Sequence, residues 1–269
     1  LDLHEAGFVK SKGLSWDDLD FQLSEADIVG VQPLPKALFG VIEMAQFEQD
    51  LQDYGLLERL RARGYRHFRS DLENIERSQR VRLWATHIDH PDELRLMDMK
   101  AHFGQLEGFR VLGWDWVELQ DPLARPSPYR PLLPGQQYPG LGMFRTLTRV
   151  MMSYMDKLDV DGLTAVPQYF HNAVLYSTHF QFLDPHLQGR FEAMCRDLLH
   201  DGLSPASWWV ERGQVRSLPD QKVLTWQPDR IVRGLVSDLQ ARFQTADYQQ
   251  KRQQALESVR FEVTHDLAP

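Results

Sequence analysis

The chain has 269 residues, 42% of them hydrophobic, which is enough for one large domain or two small ones. Its 30 Lys and Arg stand against 38 Asp and Glu, a formal net charge of −8 with no basic run, and that argues against a general grip on nucleic acid phosphates. The single cysteine, Cys195, excludes an internal disulfide, a cysteine-based zinc knuckle and a CxxC redox pair. No apolar stretch reaches 18 residues, and residues 1–12, with His4, Glu5 and Lys10, do not read as a signal peptide. The expectation is a soluble cytoplasmic protein without a membrane partner.

In chain order, residues 15–20 (SWDDLD) and 24–27 offer helix-start chemistry, and Pro33 and Pro35 mark a break. From Lys36, Leu38, Val41, Ile42, Ala45, Leu51, Leu56, Leu57 and Leu60 recur three and four apart and predict a helix, divided at Gly55 and ended by Gly64. The period then changes. Residues 81–88 (VRLWATHI), 93–103 (ELRLMDMKAHF) and 109–120 (FRVLGWDWVELQ) read as three strands of an antiparallel meander, with turns at 89–92 and 104–108 and an earlier fourth strand at 65–69. Prolines at 122, 126, 128, 131, 134 and 139 exclude regular structure from the next segment. After Gly142 the stripe Met143, Phe144, Leu147, Val150, Met151, Tyr154, Met155 and Leu158 predicts a helix. Residues 162–167 predict a buried strand, a second helix starts near His171, 180–183 offers another strand and 185–199 a further helix. Beyond Ser204 come a Trp-bearing segment to Pro228 and a long polar helical region over 229–259.

The loop Gln137-Tyr138-Pro139-Gly140-Leu141-Gly142 stands immediately before a predicted helix. Glycines let backbone approach a ligand, and free amides at a helix start attract phosphate. It is not a dinucleotide fingerprint, because Arg145 holds the third glycine's place, and no Gly-Lys-Ser/Thr makes it a Walker loop. Taken alone it is a glycine turn capping a helix. Thirty residues on stand Asn172-Ala173-Val174-Leu175-Tyr176 and then Phe180-Gln181-Phe182.

Together these resemble the GNAT superfamily of acyl-CoA-dependent N-acyltransferases over residues 80–183. Gln137, Gly140 and Gly142 match that family's Q/R-x-x-G-x-G/A at its spacing, and Leu175-Tyr176 match its Leu-Tyr pair downstream of Asn172. Tyr138 and Pro139 stand where the family's loop is usually basic, and Phe180-Gln181-Phe182 replaces its Gly-Phe pair.

The resemblance implies an α/β fold, a GNAT-like mixed sheet with an antiparallel meander, a cofactor loop and flanking helices. It divides the chain into an N-terminal helical extension (1–64), an acyltransferase core (65–203) and a C-terminal segment packed on the core and ending in a helix (204–269). It further implies an enzyme that moves an acyl group, acetyl in the first instance, from coenzyme A to a small-molecule or peptide amine by direct attack. Amides of Gly140, Leu141, Gly142 and Met143 would face the pyrophosphate, with Gln137, Tyr138 and Asn172 beside the cofactor, and strand-edge amides at Val117 and Leu119 would polarise the thioester. Tyr176 would protonate the departing thiolate, and Glu118 or His171 would take the amine's proton, with Asp115 close by. The rival reading is a non-catalytic GNAT-like module that binds acyl-CoA or a protein partner.

Other patterns carry less. His87-Ile88-Asp89-His90 matches half of a metallo-hydrolase motif, but Ala85 replaces its first histidine and a polar turn explains it better, so no metal is expected. Trp114 and Trp116 share a strand face by alternation, and core packing is the default for them and for the Met-rich helix. Cys195 beside Met194 and Leu198 reads as buried and inert. The terminal stripe of Leu235, Leu239, Phe243 and Leu256 has no heptad, so residues 240–257 offer a partner-binding arm, an element of a homodimer or, as the default, a solvated helix face.

Overall fold

Two short amphipathic helices lay their apolar side chains against one face of a long meander. The computed structural model describes residues 37–264. The helix-start signals at 15–20 and 24–27, Pro33, Pro35, Lys36 and residues 1–12 lie outside the described residues.

The first described elements are β1 (Ala37–Leu38) and β2 (Ile42–Glu43), a small hairpin whose turn residues Phe39 and Gly40 take positive φ. The predicted helix from Lys36 is corrected here: it starts only at Met44, because Leu38 and Ile42 are buried as hairpin residues. Helices α1 (Met44–Asp53) and α2 (Leu56–Arg61) follow, separated at Gly55, whose φ of 77° needs glycine.

Four antiparallel strands come next: β3 (Tyr65–Ile75), β4 (Ser78–His87), β5 (His90–Leu106) and β6 (Phe109–Leu119). Their alternation is plain in β4, where Val81, Leu83 and Ala85 are buried while Arg80, Arg82 and Trp84 face outward. The turns are shorter than the sequence signals imply, two residues each at 76–77, 88–89 and 107–108. Residues 122–139 carry no helix or strand.

Helix α3 (Phe144–Met152) then breaks at Ser153, whose hydroxyl donates to the Val150 carbonyl at 2.7 Å, and α4 (Met155–Leu158) resumes it. The single predicted helix is thus two. Next come β7 (Gly162–Ala165), α5 (Phe170–Tyr176), β8 (Gln181–Phe182), α6 (Pro185–Leu198) and α7 (Leu203–Glu211). The rest is β9 (Val215–Leu218), β10 (Lys222–Val223), β11 (Ile231–Gly234), α8 (Ser237–Ala241), α9 (Ala246–Ser258) and β12 (Arg260–Val263).

The protein is α/β, with a mixed seven-stranded sheet in the order β3-β4-β5-β6-β7-β11-β8 and flanking helices. Only β6 and β7 of the neighbouring pairs run parallel. The polar helical region expected over 229–259 is corrected by β11, which pairs with β7 on one side and β8 on the other. The segment after Ser204 therefore supplies an interior strand as well as packing helices. Phe47, Leu51, Leu56 and Leu60 of α1 and α2 share one core with Leu83 and Met97 of the sheet and Leu147 and Val150 of α3, each at or near zero exposure. Every such side chain contributes about 1.5–3 kcal/mol. Tyr154 Oη donates to Asp50 Oδ2 at 2.6 Å and ties the end of α3 to α1. Among the described residues no helix is long and apolar enough to cross a membrane.

Candidate functional site

Strand β6 has two different neighbours along one edge. Val111 to Trp114 pair with Gly162 to Ala165 of β7, after which Pro167 ends that strand. Further along, the Leu141 amide donates to the Leu119 carbonyl at 3.1 Å and the Asp121 amide to the Pro139 carbonyl at 2.9 Å. Between these contacts, residues 115–118 have no strand beside them on that edge, which leaves a window in the sheet. Because the Leu119 carbonyl points across the window, strand alternation aims the amide and carbonyl of Val117 the same way.

A cavity of about 540 Å³ opens at the window, within the range of small-molecule sites. It gathers most of the residues expected from the sequence: Val117, Glu118, Leu119, Tyr138, Gly140, Leu141, Gly142, His171, Asn172 and Tyr176. Gln137 and Met143 do not line it; Met143 is buried in the core, and Gln136 takes the loop position against the cavity.

The Pro-rich segment forms a wall, with Tyr129, Arg130, Leu133 and Gly135 lining the cavity. Buried Asp121 fastens it, accepting from Tyr65 Oη at 2.5 Å and Arg130 Nη2 at 3.1 Å, with Arg63 Nη1 at 3.7 Å. At the far end Trp208 Nε1 donates to the Leu132 carbonyl at 2.9 Å. Gly135 sits so close to the Tyr169 ring that a Cβ there would fall 2.5 Å from the phenol oxygen.

At the glycine loop, Gly142 takes a φ of 68° with open space where a side chain would stand. One expectation is corrected: the Leu141 amide is spent on the Leu119 carbonyl and cannot face a ligand. The amides of Gly142, Met143, Phe144 and Arg145 have no backbone acceptor among the described residues, as is usual in a helix's first turn. Arg59 donates to the Thr146 hydroxyl, Arg63 Nη2 to the Leu141 carbonyl at 2.9 Å and Arg130 Nη2 to the Gly140 carbonyl at 3.0 Å. Three guanidiniums thus surround a helix N-terminus, an arrangement suited to a polyanion.

Tyr176 packs edge-on to Phe144 at 5.1 Å and against Trp114 and Phe180 at 6.0 and 5.4 Å. Burial pushes its phenol above the ordinary tyrosine value, so it stays protonated. Burial likewise raises Glu118, an effect opposed by Arg95, whose Nη2 lies 3.3 Å from Oε2. Arg95 also reaches Asp98, which is 1% exposed and held by Arg80 Nε at 2.8 Å. Asn172 Oδ1 accepts the Tyr169 amide at 3.2 Å and so caps α5.

His171 stacks on Tyr169, and burial lowers its pKa to about 4, which leaves a neutral, weakly basic imidazole. The unfolded chain binds that proton from about pH 6.5 downward while the folded chain resists it to about pH 4. Stability should therefore fall with pH across that window, by about 2 kcal/mol between pH 7 and pH 5. Urea unfolding at both pH values checks this, and His171→Gln should remove most of the difference.

Three of the eight buried side-chain polar atoms without a partner among the described residues, Trp114 Nε1, Gln120 Oε1 and His171 Nδ1, belong to residues of this cavity's wall. A buried polar atom left unmet costs about 1–3 kcal/mol.

Asp115, expected close by, brings with it a bulge and partners that the sequence did not signal. Asp115 is an extra residue in β6, since Lys100 pairs with Trp116 and Ala101 with Trp114. Its Oδ1 lies 2.8 Å from His102 Nδ1, and its Oδ2 accepts from Ser78 Oγ at 3.1 Å. The bulge also corrects the expectation that both tryptophans share a face: Trp114 is 5% exposed and Trp116 51%. His102 and Arg130 had no signal of their own in the sequence.

His87 serves the turn, with Nε2 2.9 Å from the Arg63 carbonyl and Nδ1 accepting the Asp89 amide. Among the described residues no three His, Cys, Asp or Glu side chains cluster as a metal site. The Cys195 thiol is pushed up to about 12 by burial, which makes it a poor nucleophile.

No protein-family model matches the chain, and no curated protein matches it.

Proposed function

We propose that the protein is an acyl-CoA-dependent N-acyltransferase with a GNAT-like core. The observation that carries this reading is the window beside residues 115–118, which opens on a cavity with a guanidinium-ringed helix N-terminus at one end and the Tyr176 phenol in its wall. Amides of Gly142 and Phe144, with Arg63 and Arg130 beside them, bind the pyrophosphate of coenzyme A. The thioester carbonyl accepts a hydrogen bond from the Val117 amide, which stabilises the oxyanion that forms when an amine attacks. Glu118 takes the proton from the attacking nitrogen. The carbon–sulfur bond then breaks, and the Tyr176 phenol donates to the departing thiolate. His171, a weak base, holds the wall rather than moving the proton.

Calorimetric titration with acetyl-CoA tests the binding step. Saturable binding is expected, weakened at least about tenfold by Gly142→Trp, since an indole there fills the ligand's space and the left-handed backbone adds about 1–2 kcal/mol of strain. Equal affinity in the variant moves the pyrophosphate away from this loop. No binding of acetyl-CoA or longer acyl-CoAs ends the acyltransferase reading.

A further inference from the structure

Five of the ten exposed large apolar side chains among the described residues, Trp116, Tyr129, Tyr138, Val166 and Leu175, line this one cavity. Scattered exposed apolar residues need no explanation, but their convergence on one opening does. Two of them flank the window on the sheet's outer side. Trp116 is turned there by the Asp115 bulge, and Val166, one residue past inward-facing Ala165, falls on the same side by alternation.

The charges beside Trp116 are unevenly matched. Arg80 and Arg95 are both committed to Asp98, and Arg95 also reaches Glu118 Oε2. Asp115 is taken by His102 and Ser78. Two groups remain. Glu118 Oε1 has no partner among the described residues, and neither does Lys100, which stands directly opposite Trp116 in the β5–β6 register. An anionic oxygen, a cation and an exposed indole therefore meet on adjacent positions of one sheet face. Cross-strand neighbours lie about 5 Å apart and diagonal ones about 7–8 Å, within reach of a lysine and a glutamate converging on one small molecule.

We infer that the acceptor is an α-amino acid with an apolar side chain: Glu118 receives its ammonium, Lys100 its carboxylate, and Trp116 with Val166 covers its side chain. The word acceptor rests on the acyltransfer reading; the amino-acid site does not. Bringing the nitrogen to Glu118 also sets it at the window, beside the Val117 amide that would hold the thioester.

Calorimetry on the full chain, with and without desulfo-coenzyme A, tests this with four probes. L-phenylalanine should bind saturably in at least one condition. Phenethylamine lacks the carboxylate, 3-phenylpropionate the amine and L-serine the apolar body, and each should bind at least tenfold more weakly. Lys100→Gln should erase the preference for phenylalanine over phenethylamine, and Trp116→Ala the preference over serine. Phenethylamine or serine binding as tightly as phenylalanine overturns the proposal, and so does no binding of phenylalanine in both conditions. Phenylalanine binding without any acyl-CoA binding supports the amino-acid site and removes the acyltransferase. Acyl-CoA binding without phenylalanine does the reverse.

Discussion

Asp121→Ala should lower the unfolding free energy by about 3 kcal/mol, because it strips a buried acceptor from three donors at once. The carboxylate is 5% exposed and serves Tyr65, Arg63 and Arg130 together, so its loss strands the Tyr65 hydroxyl and leaves two guanidiniums facing each other. Both arginines are about a third exposed, and water recovers part of the cost. Tyr65→Phe removes one donor and should cost only about 1 kcal/mol. Urea unfolding of both variants measures the difference. A loss under about 0.5 kcal/mol for Asp121→Ala would mean that the Pro-rich wall stands without its anchor.

Tyr176→Phe should reduce turnover about 100-fold or more while leaving acetyl-CoA affinity unchanged. The ring is packed on Trp114, Phe144 and Phe180, so loss of one oxygen leaves the aromatic cluster in place. Transfer of radiolabelled acetyl to an amine identified by screening gives the turnover, and calorimetry gives the affinity. Unchanged turnover would reduce the phenol to packing. A binding module without turnover, the rival reading, predicts unchanged affinity and no transfer in either protein.

Much of the sheet could be read from period-two alternation, as in Val81, Leu83 and Ala85, since one buried face writes itself directly into residue order. What escaped depends on partners distant in sequence. β11 is only Ile231-Val232-Arg233-Gly234, too short and mixed to announce a strand, and its identity comes from β7 and β8 on either side, about 50 to 70 residues upstream. The Asp115 bulge has no local signal, yet it decides which way Trp116 faces. The loop Gly140-Leu141-Gly142 was legible as a turn before a helix, but the loss of the Leu141 amide follows from its pairing with Leu119 across the Pro-rich irregular stretch. The same holds for Asp121, whose partner Tyr65 is 56 residues away.

The insertion of β11 between β7 and β8 sets the order in which the chain can assemble. The meander and its helices are complete once α3 has emerged from the ribosome, and their contacts are local enough to form early. The edge of β7 must then wait for residues 231–234, with Leu163 and Ala165 already made and their neighbour not yet synthesised. Until residues 231–234 are made, that strand edge lacks its neighbour and is open to pairing with other chains.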